Sequence, residues 1–428
     1  VDMASWLCWG LWLSWVLCAL SHELHATTWP HAPLQRVYVV YLDKAPQDRW
    51  NATLSAVVGE VGVKPFAEYY VAVLESQRAK YPDTVQFYEA HLAEFQATWE
   101  TLYHDLLLEI YALADILQDH AQSAEEKEAC SRNNIFLAMM HMQIGNIGVQ
   151  ECTSVVLRQR TGDVLHFRNW DFLPLPDVLG MLSVQVEFAR RSSENGAEFR
   201  CLIALTHIHK WTTCMRPGKF SMSLNARYSG AGTERGRAPE RELELLKQGR
   251  LPRVALLRDV MLATTYESAL HAASTAPALT SMYVILAAPK PSEEGVDAQG
   301  AIVTIEGNAN ASDVMLLPAK GEGWFIVQTN IDHSEPMAQD RPSSHRREHM
   351  KALLNALGPD ADATQYYATL RNESVFPDGN SGPDDGKVFR NLTIASVLMR
   401  PGQVGAHSWR ADVWRPAVPV GGTQALVH

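Results

Sequence analysis

The chain has 428 residues, of which 46% are hydrophobic and 20% are charged, and its formal net charge is −11. This length suffices for one large or two medium domains with a sizeable core, and the composition is ordinary for a globular protein. An acidic chain without a basic run has no electrostatic basis for binding nucleic acid, so the sequence excludes that class of partner.

The N-terminus carries an apolar run without charge from Trp6 to Leu20. The run is shorter than the about 20 residues of a transmembrane helix, so it predicts a signal peptide over residues 1–26. A short membrane anchor is the alternative, because no positive charge precedes the run. No later segment has a transmembrane pattern.

Two further features suit a secretory route. Four sequons predict N-glycosylation at Asn51, Asn310, Asn372 and Asn391. Only four cysteines lie beyond the predicted signal, too few for a disulfide scaffold: Cys130, Cys152, Cys201 and Cys214. If Cys152 is a nucleophile, Cys201–Cys214 is the easiest pair, although Cys130 could equally join either.

The first third of the chain has a helical pattern. Residues 36–42 predict a strand, and residues 65–129 then predict helices with one break at Tyr81-Pro82-Asp83. The second half of that stretch has one apolar stripe at steps of three and four, formed by Leu92, Phe95, Trp99, Leu102, Leu106, Ile110, Leu113 and Leu117. Residues 134–142 predict another helix.

After Cys152 the pattern changes to strands. Apolar runs predict strands at 182–188, 199–207, 221–224, 282–288, 301–306, 323–329 and, near the end, 391–399. Helices are predicted at 240–246, 254–273 and 346–357. The chain is therefore predicted to combine a helical N-terminal third with a larger mixed α+β region, and the boundary falls at Cys152.

That boundary opens a predicted β-hairpin with a Thr-Gly-Asp turn. If Thr161 and Gly162 are the two loop residues, Cys152 lies opposite Asp171, with Cβ atoms about 5 Å apart. A thiol becomes a good nucleophile when a neighbour takes its proton or stabilises its thiolate. In this register Arg168 points to the other face, so a bulge near Asn169 would be needed to bring it to the thiol. A buried structural cysteine beside a surface Arg–Asp pair is the alternative.

A second constellation, His207-x-His209, places two imidazoles on one face of a predicted strand. Such a pair suggests a metal site, but no partnering Cys, His or carboxylate is evident in the sequence. The sequence therefore predicts no metal.

The motifs together resemble acid ceramidase and N-acylethanolamine-hydrolysing acid amidase, of the N-terminal-nucleophile hydrolases. Cys152-Thr153-Ser154 followed by Arg168-Asn169-Trp170-Asp171 is similar to that family's Cys-Thr-Ser and Arg-Asn-Leu-Asp pattern. Further matches follow in order: Trp211-Thr212 to Lys219-Phe220, Ser223-Leu224-Asn225-Ala226-Arg227, Gln328-Thr329-Asn330-Ile331-Asp332 and Asp340-Arg341. Tyr41-Leu42-Asp43 with Arg49-Trp50 resembles the family's N-terminal pattern.

The resemblance implies a stacked αββα fold and a precursor that cuts itself between Glu151 and Cys152. Residues 27–151 would form a helical α subunit and residues 152–428 a β subunit with the catalytic core, held together as a heterodimer. The implied catalytic residues are Cys152, Arg168, Asp171, Asn330, Asn225 and Arg341, with Asn330 as an oxyanion donor and Asp171 holding the freed amine. No cofactor is implied.

The implied activity is hydrolysis of the amide of ceramide, through an acyl-thioester on Cys152. The implied compartment is a lysosome or another acidic compartment of the secretory pathway, or the extracellular space. A membrane surface or a lipid-presenting protein is a further expected partner. Fatty acid ethanolamides are the alternative substrates, and bile-salt or penicillin-type amides a more distant one. A non-catalytic lipid-binding glycoprotein of the same fold is the alternative outside catalysis.

Overall fold

The structure is a computed structural model that describes residues 31–33, 36–144, 152–172, 175–192, 196–227, 239–289, 299–307, 312–318, 323–333, 342–371 and 393–414. The predicted signal peptide, Glu151, Arg341 and three of the sequons, those at Asn310, Asn372 and Asn391, lie outside these residues. At the fourth sequon, Asn51 is exposed at the start of a helix, and its glycosylation stays a prediction.

As predicted, the described residues before Cys152 are mainly helical, and those from Cys152 onward combine strands with helices. The α-helices are α1 Asn51–Val61, α2 Lys64–Lys80, α3 Pro82–Ala90, α4 Leu92–Leu102, α5 His104–His120, α6 Ala124–Ala129, α7 Arg132–Ile144, α8 Pro176–Met181, α9 Pro239–Lys247, α10 Arg253–Leu262, α11 Tyr266–Thr275, α12 Pro342–Leu357 and α13 Ala363–Leu370. The strands are β1 His31–Pro33, β2 Val37–Tyr41, β3 Cys152–Arg158, β4 Val164–Asp171, β5 Ser183–Ala189, β6 Ala197–Ala204, β7 Thr213–Arg216, β8 Phe220–Ala226, β9 Met282–Ala287, β10 Gly300–Ile305, β11 Ser312–Leu316, β12 Phe325–Gln328, β13 Thr393–Met399 and β14 Trp409–Trp414.

The strands form two sheets. In the described part of the chain, sheet A has the order β1-β14-β13-β4-β3-β12 and sheet B the order β11-β10-β9-β8-β7-β6-β5-β2. Neighbouring strands pair antiparallel except β2, which runs parallel to β5. The segment before Cys152 therefore contributes an edge strand to sheet B.

The two sheets stack between layers of helices. Val156 and Ile326 of sheet A pack against Ile285 and Ile302 of sheet B, and this contact fills the space between the sheets. On the other face of sheet A, Val155 and Phe167 pack against α12 and α13. The outer face of sheet B is covered by the N-terminal helices and by α9 to α11. This arrangement is the predicted αββα sandwich, and the prediction is confirmed.

The predicted apolar stripe is divided between two helices. Phe95 and Trp99 are buried on α4, whereas Leu106 and Ile110 are buried on α5. Tyr103 separates them with φ −137° and ψ 41°, outside the helical region. Its side chain donates a hydrogen bond to the carbonyl of Arg250 at 3.0 Å, so a tertiary contact holds the turn that periodicity does not signal.

The predicted helix over 254–273 is also two helices, α10 and α11. Thr265 adopts an extended conformation and its side chain accepts a hydrogen bond from the Ser268 amide, while the Ser268 side chain accepts one from Thr265. This capping box begins a new helix. The sequence analysis also missed α1 and α13, although Asp362 and Gln365 form a capping box at the start of α13.

A buried ion cluster joins the N-terminal helices to the rest of the core. Glu109 of α5 is 1% exposed and accepts hydrogen bonds from Arg49 Nη1 at 2.9 Å, Arg258 Nη1 at 2.9 Å and Trp50 Nε1 at 3.1 Å. Arg258 lies on α10, beyond the predicted cleavage point. Charges removed from water are stable only when they are paired, so this cluster fixes α5 against α10.

Cys201 and Cys214 form a disulfide between the paired strands β6 and β7. The structure therefore contains Cys201–Cys214, the pair that the sequence analysis favoured, and the alternative pairings of Cys130 with Cys201 or with Cys214 are wrong. Cys130 is free and buried between α6 and α7, where burial, followed by the charge of Glu126, raises its thiol pKa to about 12.

Replacing both Cys201 and Cys214 with serine is expected to lower the free energy of unfolding by about 3 kcal/mol. Without the disulfide the unfolded chain is no longer restricted by a short closed loop, so it gains conformational entropy. Denaturant titration of the variant and the wild type measures the difference. Cys130→Ser under the same conditions is the single-thiol control. An unchanged midpoint in the double variant would contradict the observed pairing.

None of the described helices combines the length and apolar character needed to cross a membrane.

Candidate active site

The hairpin that begins at Cys152 differs by one residue from the predicted register. Cys152 lies opposite Trp170, and Arg158 lies opposite Val164. The connection between β3 and β4 is longer than two residues: Gln159 N–H donates to the Asp163 carbonyl at 2.8 Å and Gly162 N–H donates to the Gln159 carbonyl at 2.9 Å. The predicted pairing of Cys152 with Asp171 is therefore wrong.

The corrected register brings Arg168 to the thiol without a bulge in the hairpin. Arg168 lies two residues from Trp170, so Arg168 and Cys152 share one face of the sheet. Arg168 Nη2 is 3.3 Å from Cys152 Sγ. The predicted bulge near Asn169 is wrong, because the irregularity lies in the neighbouring strand β13, between Thr393 and Ala395.

The Arg168 guanidinium is fixed on several sides. Its Nη1 donates to the Thr212 carbonyl at 2.6 Å and to Thr213 Oγ1, and its Nη2 also donates to the Leu224 carbonyl. These acceptors lie at or beside β7 and β8 of sheet B, and Arg168 is only 2% exposed. A buried cation held between the two sheets therefore lies against the sulfur of Cys152.

Asn330 binds the backbone nitrogen of the same cysteine. Its Oδ1 accepts hydrogen bonds from Cys152 N–H at 2.9 Å and from Arg346 Nη2 at 2.7 Å, and its Nδ2 donates to the Ala226 carbonyl at 2.8 Å. The side chain is fully buried. Asn330 thus contacts the atom that self-cleavage would convert to an α-amine, and its predicted role as an oxyanion donor stays a prediction.

Asp171 is fully buried at the end of β4, close to these groups. Its Oδ1 accepts a hydrogen bond from Thr393 Oγ1 at 2.7 Å, and its Oδ2 is 4.0 Å from Arg346 Nη1. Arg346 thereby links Asp171 to Asn330. Through Arg346 and Asn330, Asp171 is connected to the backbone nitrogen of Cys152, the atom at which its predicted role in holding the freed amine would apply. Arg168 instead lies against the sulfur.

Asn225 supports the site from sheet B. Its Oδ1 accepts a hydrogen bond from Ser154 Oγ at 2.9 Å, and its Nδ2 donates to the Gln328 carbonyl at 2.9 Å. Ser154 lies opposite Arg168 on the hairpin. In this structure Asn225 joins β3 and β12 to β8, which makes it a positioning residue for the strands that carry Cys152 and Asn330.

A neutral histidine continues this polar layer. The ring nitrogens of His166 lie 2.9 Å from Ser221 Oγ and 2.9 Å from Ser223 Oγ. Burial, followed by the charge of Arg168, lowers the pKa of His166 to about 3, so the ring stays neutral. His166 fixes the sheets against each other and adds no charge beside Arg168.

Arg227 joins two segments that the sequence analysis identified, residues 223–227 and residues 328–332. Its Nε and Nη2 bind the two oxygens of Asp332 at 2.7 Å each, and Tyr283 donates to Asp332 Oδ1 at 2.6 Å. Two-point contacts of this kind fix orientation as well as distance. Asp332 therefore holds the end of the segment that carries Asn330.

The sequence analysis missed two cations, Arg346 and Lys210. Arg346 is 1% exposed on α12 and also donates to Ser343 Oγ at 3.3 Å. Lys210 is 8% exposed in the turn after β6, and its pKa is lowered to about 7, chiefly by burial and then by the charges of Arg253 and Arg168, while Cys152 acts in the opposite direction. No motif marks either residue, because both reach the site through tertiary packing. The predicted Arg341 lies outside the described residues.

The two histidines of His207-x-His209 lie in the turn after β6 rather than on a strand, so that part of the prediction is wrong. His207 Nε2 lies 3.2 Å from Tyr69 Oη, and its Nδ1 lies 2.7 Å from Thr206 Oγ1. Burial lowers the pKa of both rings well below the usual value. Within the described residues, no cluster of three His, Cys, Asp or Glu side chains could hold a metal ion.

A small pocket opens beside the cysteine. Its lining includes Trp170, which lies opposite Cys152, and Thr212, whose carbonyl binds Arg168. His207 and Lys210 supply further polar groups, and the cavity volume is only about 10 Å³. The site therefore combines a thiol, a buried cation at the sulfur and an amide at the backbone nitrogen, an arrangement suited to nucleophilic catalysis.

Comparisons with known proteins point to two related groups of enzymes. No family model matches the chain. The chain is 26% identical over 388 residues to the N-acylethanolamine-hydrolyzing acid amidase of Caenorhabditis elegans, covering 89% of this chain and 93% of that protein. It is 28% identical over 196 residues to the acid ceramidase of Heterocephalus glaber, covering 42% of this chain and 46% of that protein.

Among solved structures, the Caenorhabditis elegans N-acylethanolamine-hydrolyzing acid amidase ortholog matches with a TM-score of 0.45 and 26% identity, covering 59% of this chain and 94% of that chain. The sequence matches are to the enzymes that the motifs resemble.

Proposed function

We propose that this chain, which belongs to the family of N-acylethanolamine-hydrolyzing acid amidases and acid ceramidases, hydrolyses the amide bond of an N-acyl lipid with Cys152 as the nucleophile. The observation that carries the proposal is the environment of one residue. Arg168 Nη2 lies 3.3 Å from Cys152 Sγ, and Asn330 Oδ1 lies 2.9 Å from Cys152 N. Thiol and amine positions of a single residue are both held by buried polar groups, as a combined nucleophile and base requires.

The precursor would first act on itself. The Cys152 thiol attacks the carbonyl carbon of Glu151, the peptide bond to Cys152 N breaks, and water hydrolyses the resulting thioester. The products are a chain that ends at Glu151 and a chain that begins with Cys152. The contacts of Asn330 with Cys152 N and of Arg346 with both Asn330 and Asp171 support this step, because they place an acceptor and a buried carboxylate near the new amine.

The mature enzyme would use that amine as its base. An α-amine has an unperturbed pKa of about 7.7–8.0, so near neutral pH a far larger fraction of it than of a lysine side chain is unprotonated and able to act as a base. It takes the thiol proton, and the thiolate, stabilised by Arg168, attacks the lipid amide carbonyl. The amine product leaves with that proton, and water then releases the fatty acid from the thioester. Asn330 is the proposed oxyanion donor, and Asn225 positions β3 and β12.

Ceramide and fatty acid ethanolamides are the two candidate lipids. The motifs led us to expect ceramide, and the match to an N-acylethanolamine-hydrolyzing acid amidase over 89% of this chain supports ethanolamides. A non-catalytic lipid-binding glycoprotein does not need a buried cation against a thiol. The proposed compartment is the secretory pathway, with a lysosome, another acidic compartment or the outside of the cell as its end. The Cys201–Cys214 disulfide supports that route, because disulfides persist in oxidising compartments.

Purified protein incubated at acidic pH is expected to yield two fragments and to release fatty acid from N-palmitoylethanolamine or from N-palmitoylsphingosine. Equal amounts of both lipids in one reaction measure the preference as the ratio of the two free amines formed. Heat-denatured protein is the matched control. A single uncut chain that releases no fatty acid from either lipid would overturn the proposed function and favour a lipid-binding role.

A further inference from the structure

An irregularity in β13 places a hydroxyl group against the carboxylate of Asp171. Ala395 of β13 pairs with Trp170 of β4, so a regular antiparallel ladder would place the apolar Ile394 opposite Asp171. The register instead shifts between Thr393 and Ala395, and Thr393 is the residue that pairs with Asp171. Bulges of this kind turn a side chain in a new direction and are frequent beside active sites. The shift therefore gives Asp171 a hydrogen-bond donor as its cross-strand neighbour.

The hydrogen bond between Thr393 and Asp171 is short and shielded from water. Thr393 Oγ1 donates to Asp171 Oδ1 at 2.7 Å. Thr393 is only 4% exposed, and Asp171 is fully buried. Hydroxyl groups that donate to an ionised carboxylate lie about 2.5–2.7 Å from it, and such bonds are roughly twice as strong as neutral ones. The observed length therefore suits a charged carboxylate that is held by this hydroxyl.

The other oxygen of the same carboxylate faces the reacting end of the hairpin. Arg346 Nη1 of α12 lies 4.0 Å from Asp171 Oδ2, so the two oxygens have different neighbours and the orientation of the carboxylate is restricted. Cys152 pairs with Trp170, so Asp171 lies one residue beyond the pair, on the side where cleavage would leave the α-amine of Cys152. A carboxylate that holds an ammonium group must keep both its charge and its direction.

We propose that Thr393 is a positioning residue that holds the Asp171 carboxylate towards the freed α-amine of Cys152. The inference rests on the proposed function and adds the group that orients this carboxylate. Thr393 is also the third residue of the predicted sequon at Asn391, a place where the acceptor pattern requires serine or threonine. Replacing Thr393 therefore removes both the hydroxyl and the sequon, and the test has to separate the two effects.

Thr393→Val replaces the hydroxyl with a methyl group of similar size. The variant is expected to cut itself, and its kcat on N-palmitoylethanolamine or N-palmitoylsphingosine should be about 10- to 100-fold lower, the usual effect of losing a hydrogen bond to a charged group. KM should stay nearly unchanged, because the loss concerns the catalytic amine and not the binding of lipid. Thr393→Ser keeps both the hydroxyl and the sequon, so it should restore most of kcat.

Ser396→Ala is the matched control for the loss of a buried hydroxyl. Ser396 lies on the same strand, is fully buried and donates to Asn169 Oδ1 at 2.7 Å. Thr393→Val and Ser396→Ala should lower the denaturant midpoint by similar amounts, but only Thr393→Val should lower kcat. Asn391→Gln, produced in a host that glycosylates, removes the sequon and keeps the hydroxyl, and its kcat should equal that of the wild type.

Three results would overturn the role of Thr393 while the proposed function stands. The first is a wild-type kcat in Thr393→Val. The second is an equal loss of kcat in Ser396→Ala or in Asn391→Gln, because packing or the glycan would then cause the effect. The third is a folded Thr393→Val chain that stays uncut, because the hydroxyl would then act before an amine exists.

A second variant covers the case in which Thr393→Val does not fold. Thr393→Ala removes the same hydroxyl without placing a methyl group against the carboxylate, and the same fall in kcat at constant KM is expected. The proposed function is tested separately by the wild type. A wild-type protein that releases no fatty acid from either lipid would overturn the proposed function, and with it the inference that rests on it.

Discussion

Replacing Cys152 with alanine is expected to leave the chain uncut and to reduce fatty acid release by about four orders of magnitude or more, as for other enzymes that lose their nucleophile. The thiol is the attacking atom of both reactions in the proposed mechanism, so both are lost together. Arg168 and Asn330 contact different atoms of Cys152 and remain in place in the variant. Gel analysis of the purified chain and measurement of released fatty acid report the two effects.

The control for this substitution is Cys130→Ala, which removes the other free and buried thiol among the residues that the structure describes. It is expected to cut itself and to hydrolyse lipid as the wild type does. If the Cys152→Ala chain is still cut, an outside protease makes the fragments. If it still releases fatty acid at the wild-type rate, Cys152 is not the nucleophile, and the proposed chemistry is wrong.

Replacing Glu109 with alanine is expected to lower the free energy of unfolding by about 3–5 kcal/mol, the usual cost of leaving buried charges without their partner. Glu109 binds Arg49, Trp50 and Arg258, and only Arg258 lies beyond the predicted cleavage point. In the cleaved protein the same substitution should promote separation of the two fragments. Denaturant titration measures the first effect, and size-exclusion chromatography of the cleaved protein measures the second.

Asp105→Ala is the matched control, because Asp105 also forms an ion pair with Arg49 but its side chain is 61% exposed. Exposed pairs contribute about 0–1 kcal/mol. A loss of equal size in the two variants would contradict a special role for the buried cluster.

The buried cluster also predicts how stability depends on pH. Burial raises the pKa of Glu109, but Arg258 and Arg49 outweigh burial, and the net folded-state pKa lies below the usual 4.5. A carboxylate with a lowered folded-state pKa contributes stability above its unfolded pKa and loses it as pH falls through the folded-state value. The difference between the wild type and Glu109→Ala should therefore persist at mildly acidic pH and shrink only below about 4.5.

The hairpin shows what local sequence could and could not predict. Both strands of the hairpin were predicted, but Arg168 was predicted on the wrong face of the sheet. Side chains alternate between the two faces of a strand, so the one-residue shift of register caused by the longer turn places Arg168 on the same face as Cys152. The length of that turn depends on Gln159 and Asp163, whose backbone hydrogen bond is not encoded by the Thr-Gly-Asp signal alone. The family motif nevertheless placed Arg168 near the thiol, which the geometry confirms.

Local sequence patterns could not predict the contacts at the site between residues that are distant in the chain. Asn330 binds Cys152 N from a strand end 178 residues away, so no spacing argument could pair them, and only the resemblance brought Asn330 into the prediction. Arg346 and Lys210 were missed altogether, since a buried arginine on a helix and a buried lysine in a turn carry no motif. The break between α10 and α11 was different, because the capping pair Thr265 and Ser268 was readable in the sequence.

The central claim is that Cys152 serves both as the nucleophile and as a new N-terminus. N-terminal sequencing of the large fragment from the purified wild-type protein, with its intact mass, tests this most directly. The account predicts a fragment that begins with Cys152 and is absent from the Cys152→Ala protein. A large fragment that begins at another residue, or one that forms equally in Cys152→Ala, would contradict it.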